Sequence, residues 1–542
     1  MRAKLFILAA LVCIVALPFA LRPRGEAPVG RADDTLVIIT PHNEAIRSEF
    51  SHAFEAWYRA RTGRTVFVDW RVIGGTSEIT RFLEGEYVSA FQAYWTRTLR
   101  RPWSLDVQTT FQSARIPADA TEEMKAARAA FLASEVSCGI DLFFGGGTYD
   151  FIRQAQAGRL VDSGLLQKHP EWFNEAVIPR SFSGEEYWDE RGLWFGSVLS
   201  SYGLIYNEDS LRRLGLDQPP RQWADLRDPR LFGEVALADP TKSSSIAKVF
   251  ENIVQQQMQL RLHALQREDA TAGAEAVERR AVREGWIEGL RLLQVAGASA
   301  RYFTDTSQKP PIDVAQGDSA VGLCIDFYGR QQAEAVRRRG KSERVHYVAP
   351  VGGSVSSVDP IALMRGAPNR DVAIAFMEFT LSMDGQKLWN FRPGTPGGPE
   401  HFALRRLPVR RDFYTEASFR PYLTDPEASP FQEEDRLIYR AAWTSGLFRE
   451  LAFVIRVMCL DSHGELVQAW RAIIDAGMPA EAIAVMQSLD AVAYDEAAGR
   501  IKRVLGSRDK AEELRLGREL GERFRQQYRR AEAVARQSAG AR

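Results

Sequence analysis

Three consecutive serines, Ser243, Ser244 and Ser245, follow Pro240 and Lys242 in the stretch DPTKSSSIAKVF. They stand directly before Ile246, Val249, Phe250, Ile253 and Val254, an apolar stripe whose i, i+3, i+4, i+7, i+8 spacing predicts a helix. A helix start leaves backbone N–H groups without partners and carries partial positive charge, so hydroxyls placed there have two uses. They cap the helix, or they hold an anion or polar ligand with Lys242 or Arg392 as counter-charge. The same residue types recur where other strand-like runs end: Thr40, His42 and Asn43; Gly75, Thr76 and Ser77; Gly146, Gly147 and Thr148. Ser200, Ser201 and Tyr202, then Asp326 and Tyr328, and finally Asp359 complete the candidate ligand-binding set. Neutral hydroxyls and N–H groups of this kind bind a small oxyanion or a phosphorylated compound without demanding a full counter-charge. A sugar is the other organic option, with Trp70, Trp95 or Trp194 as stacking faces.

No named catalytic motif accompanies these residues. G-x-S-x-G, H-E-x-x-H and paired Cys motifs are absent, and the three glycines Gly145 to Gly147 lack the Lys-Ser/Thr of a P-loop. Acid pairs such as Asp141 with Asp326 are not placed by sequence. The expectation is a binding protein without a required cofactor, not an enzyme.

The elements that must position these residues follow from length and pattern. A chain of 542 residues predicts about three domains. Its 70 basic and 70 acidic residues cancel, which gives no global field for nucleic acid. Arg2 and Lys4 precede an apolar run from Leu5 to Leu21, the layout of an export signal and hence of a periplasmic or other extracytoplasmic protein. Pro18 stands two residues before Ala20, where a cleavage site prefers a small residue, so an uncleaved anchor at 5–21 is the alternative. Cys138, Cys324 and Cys459 are far apart and odd in number, so they frame neither disulfides nor a metal.

Past a linker ending at 33, short apolar strands alternate with helices, which predicts an α/β sheet binding its ligand beyond the strand C-termini. Residues 34–160 read as lobe 1, with a helical insertion at about 85–135 and completion by about 350–400; residues 161–349 read as lobe 2. Residues 400–542 read as a mostly helical extension. Ser462 with Glu465 predicts a capping box there. From Ile501 to Arg542 twelve Lys/Arg face six Asp/Glu, read as a solvated helix face.

The order LVIITPHNEAI, IDLFFGGGTYDF, SSYGLIYNEDS…WADLRDPRLFGEVALADPTKSSS, VAQGDSAVGLCIDFY and SVDPIALM resembles the type 2 periplasmic substrate-binding proteins of ABC importers, nearest their ferric-ion-binding branch. The resemblance covers most of 34–400. It implies a two-lobed α/β fold, each lobe a mixed sheet flanked by helices, closing on a ligand and presenting it to an ABC permease; a monomer is expected. In the ferric branch a histidine follows the first strand, the place of His42, and two adjacent tyrosines fall where Phe327 and Tyr328 stand. A ligating glutamate there corresponds to the triple glycine. The resemblance therefore implies a reduced ferric set of His42, Asp326 and Tyr328, oxygen-rich as a hard cation requires. A membrane-anchored sensor or adaptor, signalling through its C-terminal helices, is the alternative on the same fold.

Overall fold

The computed structural model describes residues 32–268, 273–428, 430–431, 436–507 and 509–540. The export signal or anchor expected at 5–21 lies outside them. Among the described residues no helix is long and apolar enough to cross a membrane.

The chain begins with β1 (Asp34–Ile39), α1 (Glu44–Thr62), β2 (Val66–Arg71) and α2 (Thr76–Ala93), with β1 and β2 paired in parallel. In α1 the apolar residues Ile46, Phe50 and Phe54 recur every four positions, so one face is buried. Phe50 packs on Phe144 and Trp389, and Phe54 on Phe376. The stretch after α2 is helical and includes α3 (Glu122–Ala133), whose Phe131 sits edge-on to Phe91 and Phe111. Then come β3 (Leu142–Phe144), α4 (Thr148–Ala157), β4 (Leu160–Val161), the hairpin β5 (Ser181–Phe182) and β6 (Glu185–Glu186), and β7 (Phe195–Ser200).

One residue, Ser201, separates β7 from β8 (Tyr202–Asn207), and here the chain crosses into a second sheet. That lobe is built from β8, β9 (Val235–Ala238), α5 (Ser244–Glu268), α6 (Ala274–Ala298), β10 (Ala300–Thr304), α7 (Lys309–Gln316), β11 (Val321–Ile325), α8 (Asp326–Gly340) and β12 (Val345–Val348). Its strand order is β10-β9-β11-β8-β12. The chain returns through β13 (Ser357–Met364) to α9 (Arg370–Leu381), α10 (Met383–Asn390) and β14 (Leu407–Pro408). These close the first sheet in the order β14-β7-β13-β3-β1-β2, with β4 beside β13. Strands β3, β7 and β11 are buried along their whole length; β3 and β11 accordingly read as apolar runs and not as alternating ones, whereas β7 buries Ser197 and Ser200 among its apolar residues. The two-lobed α/β class anticipated from the sequence is the one observed.

Helices α11 (Phe448–Ile455), α12 (His463–Asp475) and α13 (Lys510–Gly540) do not stand apart. They share one continuous hydrophobic core with lobe 2, in which Trp286 and Leu290 of α6 join Phe453, Trp470, Phe524 and Tyr528. Polar ties cross the same seam: Trp286 Nε1 donates to the Val492 carbonyl at 2.9 Å, and Gln294 Nε2 to the Met486 carbonyl at 3.0 Å.

The capping box expected at Ser462 and Glu465 is absent. A π-turn over Arg456–Leu460 precedes it and disturbs the regular ladder of carbonyl partners. Ser462 Oγ donates back to the Val457 and Met458 carbonyls, at 3.1 and 2.8 Å, and Glu465 pairs with Arg529. The hydroxyl is spent on orphaned acceptors behind it, not on the N–H groups ahead.

Candidate functional site

The serine triplet resolves into separate roles. Ser243 Oγ accepts the Ile246 N–H at 3.4 Å and caps α5. Ser244, the first residue of α5, is buried, and its hydroxyl is hydrogen-bonded to that of Thr76, the first residue of α2, across the two lobes. Ser245, Ser77 and Thr148 sit half-buried at or beside the same helix starts. A β-carbon on Gly75 would come 2.7 Å from the Lys242 carbonyl, so the lobes touch here backbone to backbone. Lys242 turns outward to Asp305, at 2.5 Å, and Arg392 donates to the Pro421 carbonyl. Neither stands as a counter-charge in the gap.

Two glycines of the turn after β3 are required by what faces them. Gly145 and Gly146 have φ of 89° and 115°, and a β-carbon would lie 2.4 Å from His42 Nε2 at the first and 2.2 Å from Thr76 Cγ2 at the second. Gly147 holds the N-cap place of α4, 3.8 Å from Ser244 Oγ by the same measure. The turn thus brings together the end of β1, the start of α2 and the start of α5.

Thr40 and Asn43 build the turn that aims His42. Thr40 Oγ1 accepts the His42 N–H at 3.0 Å, and Asn43 caps α1 by accepting the Ile46 N–H at 3.1 Å. His42 itself is only 6% exposed, edge-on to Phe144. Its Nε2 lies 3.6 Å from Asp359 Oδ2 and 3.4 Å from Arg406 Nη1. Burial is the main force lowering its pKa, with Arg406 acting the same way and Asp359 opposing.

Arg406 was not singled out by its sequence, yet it is 0% exposed and central. It pairs with Asp359 at 2.8 Å, donates to Ser200 Oγ, and lies over the rings of Phe327 at 4.5 Å and Trp389 at 5.5 Å. Ser200 Oγ in turn donates to Asp359 Oδ1 at 3.1 Å. Burial works to raise the Asp359 carboxyl, but Arg406 and His42 outweigh it and hold it below its ordinary range. Asp150, in the first turn of α4, completes the floor near Thr76 and Ser244; burial pushes its pKa up, and those two hydroxyls pull it partly back.

Other expected residues are committed elsewhere. Ser201 Oγ meets Tyr347 OH at 3.4 Å, and Tyr202 OH meets Ser357 Oγ at 3.0 Å, both at the crossing between lobes. Asp326 accepts from the Phe327 N–H at 2.8 Å and from Arg330 Nη2 at 2.7 Å, turned back on its own helix. Burial raises the Tyr328 phenol to about 12. The reduced ferric set is therefore divided: His42 faces Asp359 and Arg406, whereas Asp326 faces Arg330. Asp141 does not pair with Asp326 either; it accepts the backbone N–H groups of Val37 and Asn369 at 2.8 and 2.6 Å. Trp95 and Trp194 are buried core, and Trp70 is half-buried against Phe144 and Phe376 with its N–H donated to Ser51.

Residues 139–404 match the family model described as bacterial extracellular solute-binding protein. An uncharacterized protein of Haemophilus influenzae is 25% identical over 249 residues, 46% of this chain and 60% of that protein. Iron uptake protein A2 of Synechocystis is 24% identical over 219 residues, 38% of this chain and 54% of that protein. The chain thus spans between half and two thirds of the length of these curated relatives. Among solved structures, the periplasmic binding protein AfuA from Actinobacillus pleuropneumoniae aligns with a TM-score of 0.46 and 16% identity, covering 81% of this chain and 98% of that one. Iron-bound HitA from Pseudomonas aeruginosa aligns with a TM-score of 0.44 and 16% identity, covering 78% and 99%. The stretch that carries the second lobe and both crossings, residues 139–404, is thus similar to the bacterial extracellular solute-binding proteins.

Proposed function

We propose that the protein captures a small oxyanion or phosphorylated solute between its lobes outside the cytoplasm and delivers it to an ABC permease. One observation carries the reading: turns from distant parts of the chain, at 40–43, 145–148 and 243–245, meet where the lobes touch, with Thr76 bonded to Ser244 at the contact, and the 326–328 segment joins them through Phe327 under Arg406. The starts of α2, α4 and α5 converge there, each lending partial positive charge. Ligand entry separates the Thr76 and Ser244 hydroxyls, which then turn to the solute, and hinge motion at the strand crossings recloses the gap.

The anion reading is favoured over ferric iron by Arg406. A guanidinium is permanently charged, and here it lies beside His42, the only nitrogen donor of the reduced ferric set. Asp326, its carboxylate donor, is already held by Arg330. Asp150 would repel an anion when ionised, but its raised pKa eases protonation, and a protonated carboxyl donates.

Thermal melts test this with inorganic phosphate, hexose phosphates, phosphonates, sulfate, ferric salts and neutral sugars. A phosphate-bearing or sulfate ligand at a hundred times its Kd is expected to add about 2.7 kcal/mol. Stabilisation by ferric salts alone, or by none of the panel, overturns the proposal.

A further inference from the structure

Away from the cleft, two histidines and a glutamate meet on the outer face of lobe 1. His52 lies on α1, two turns beyond the helix start; Glu400 and His401 lie on the loop between α10 and β14. Their ligand atoms all fall within 4.8 Å of one another. His52 Nδ1 is 3.8 Å from Glu400 Oε2, His401 Nε2 is 3.7 Å from Glu400 Oε1, and the two imidazoles stand edge-on with centroids 6.2 Å apart.

The loop does not reach this position by chance of side-chain packing. Glu49, one turn before His52 on the same helix and only 1% exposed, accepts three consecutive backbone N–H groups, from Glu400 at 2.5 Å and from His401 and Phe402 at 2.7 Å. A buried carboxylate is costly unless its lone pairs are filled, so these three bonds fix the loop to α1. Both donor-bearing segments are thereby rigid, while the donor side chains themselves are exposed and free to turn.

Two imidazole nitrogens and one carboxylate oxygen form a borderline donor set, suited to Zn²⁺, Ni²⁺ or Cu²⁺ and poorly suited to Ca²⁺ or Mg²⁺, which prefer oxygen alone. Donors around a tetrahedral zinc at about 2.0–2.1 Å stand about 3.3 Å apart, a contraction that exposed side chains make by rotation. We propose that His52, Glu400 and His401 form a surface site for a divalent transition-metal ion, with Glu49 as the outer brace that holds two of its ligands in register. The site is independent of the cleft ligand. Its loop runs on within five residues to Arg406, so a bound ion ties α1 to the segment that inserts this arginine between the lobes.

The experiment uses the untagged, metal-stripped full chain. Titration with Zn²⁺ by calorimetry is expected to show one saturable site, and Cu²⁺ at one equivalent to give a paramagnetic resonance spectrum coupled to two nitrogens. His52→Ala and His401→Ala each reduce the coupling to one nitrogen and weaken Zn²⁺ binding at least tenfold. Glu49→Gln keeps all three donors and weakens it about 10–100-fold through the brace. His263→Ala, an exposed histidine on lobe 2, changes nothing. Zn²⁺ binding absent altogether, or two-nitrogen coupling that survives both His52→Ala and His401→Ala, overturns the proposal.

Discussion

Lys248, one turn into α5 from Ser244, is the residue whose loss should be felt most widely. Its Nζ lies 2.6 Å from Glu185 Oε1 and 2.9 Å from Glu251 Oε2, and 3.6 Å from the centroid of the Tyr439 ring. Glu185 is 3% exposed and Glu251 0%. Tyr439 OH and Thr444 Oγ1 both donate to Glu251, at 2.9 and 2.5 Å. The cluster therefore joins the β5–β6 hairpin of lobe 1, helix α5 of lobe 2 and the chain leading into the helical extension. Burial works against the lysine's charge, but its two carboxylates outweigh it and hold its pKa well above the usual value; burial pushes Glu185 up, with Lys248 opposing. Lys248→Met keeps the aliphatic stem and leaves two buried carboxylates without a cation, a loss of about 3–5 kcal/mol at pH 8. At about 2–4 °C per kcal/mol for a unit of 150–250 residues, the melting temperature falls on the order of 10 °C. Without the cation, the native pKa of Glu185 rises further above the unfolded value. A group raised in this way favours the fold at low pH and loses that contribution as pH rises through its native pKa, so the deficit shrinks toward pH 5. Calorimetric melts of the wild type, Lys248→Met and the Lys248→Met/Glu185→Gln/Glu251→Gln variant at pH 5, 6.5 and 8 decide the matter. A single variant that melts within about 1 °C of wild type at pH 8, or whose deficit grows on acidification, refutes the charge argument.

His42 is held neutral chiefly by burial, so its contribution to stability is present above its unfolded pKa of about 6.5 and is lost as pH falls toward its depressed native value. His42→Gln is expected to flatten the fall in melting temperature between pH 7 and 5, and an unchanged slope refutes the assignment. Arg406→Leu strands Asp359 and costs about 3–5 kcal/mol, whereas adding Asp359→Asn recovers most of it; urea denaturation of the pair against the single variant reads this directly. Ser244→Ala removes one hydrogen bond between the lobes, worth about 1 kcal/mol, and X-ray scattering of the unliganded protein is expected to show a larger radius of gyration.

The parts legible in the sequence are those set by local pattern. Short apolar runs marked β3 and β11, and the four-residue recurrence of Ile46, Phe50 and Phe54 marked the buried face of α1. Hydroxyls and glycines after strands marked the places where the lobes meet, because close approach admits only small residues. What stayed hidden depends on partners far along the chain. A serine followed three residues on by a glutamate spells a capping box, but the π-turn before Ser462 offers that hydroxyl nearer acceptors. Arg406 has no local signature at all. Its burial is acceptable only because Asp359 from β13, Ser200 from β7 and His42 after β1 converge on one guanidinium while Phe327 and Trp389 cover its faces. That arrangement places the cationic partner of Asp359 in the segment beyond residue 404, where the family match ends.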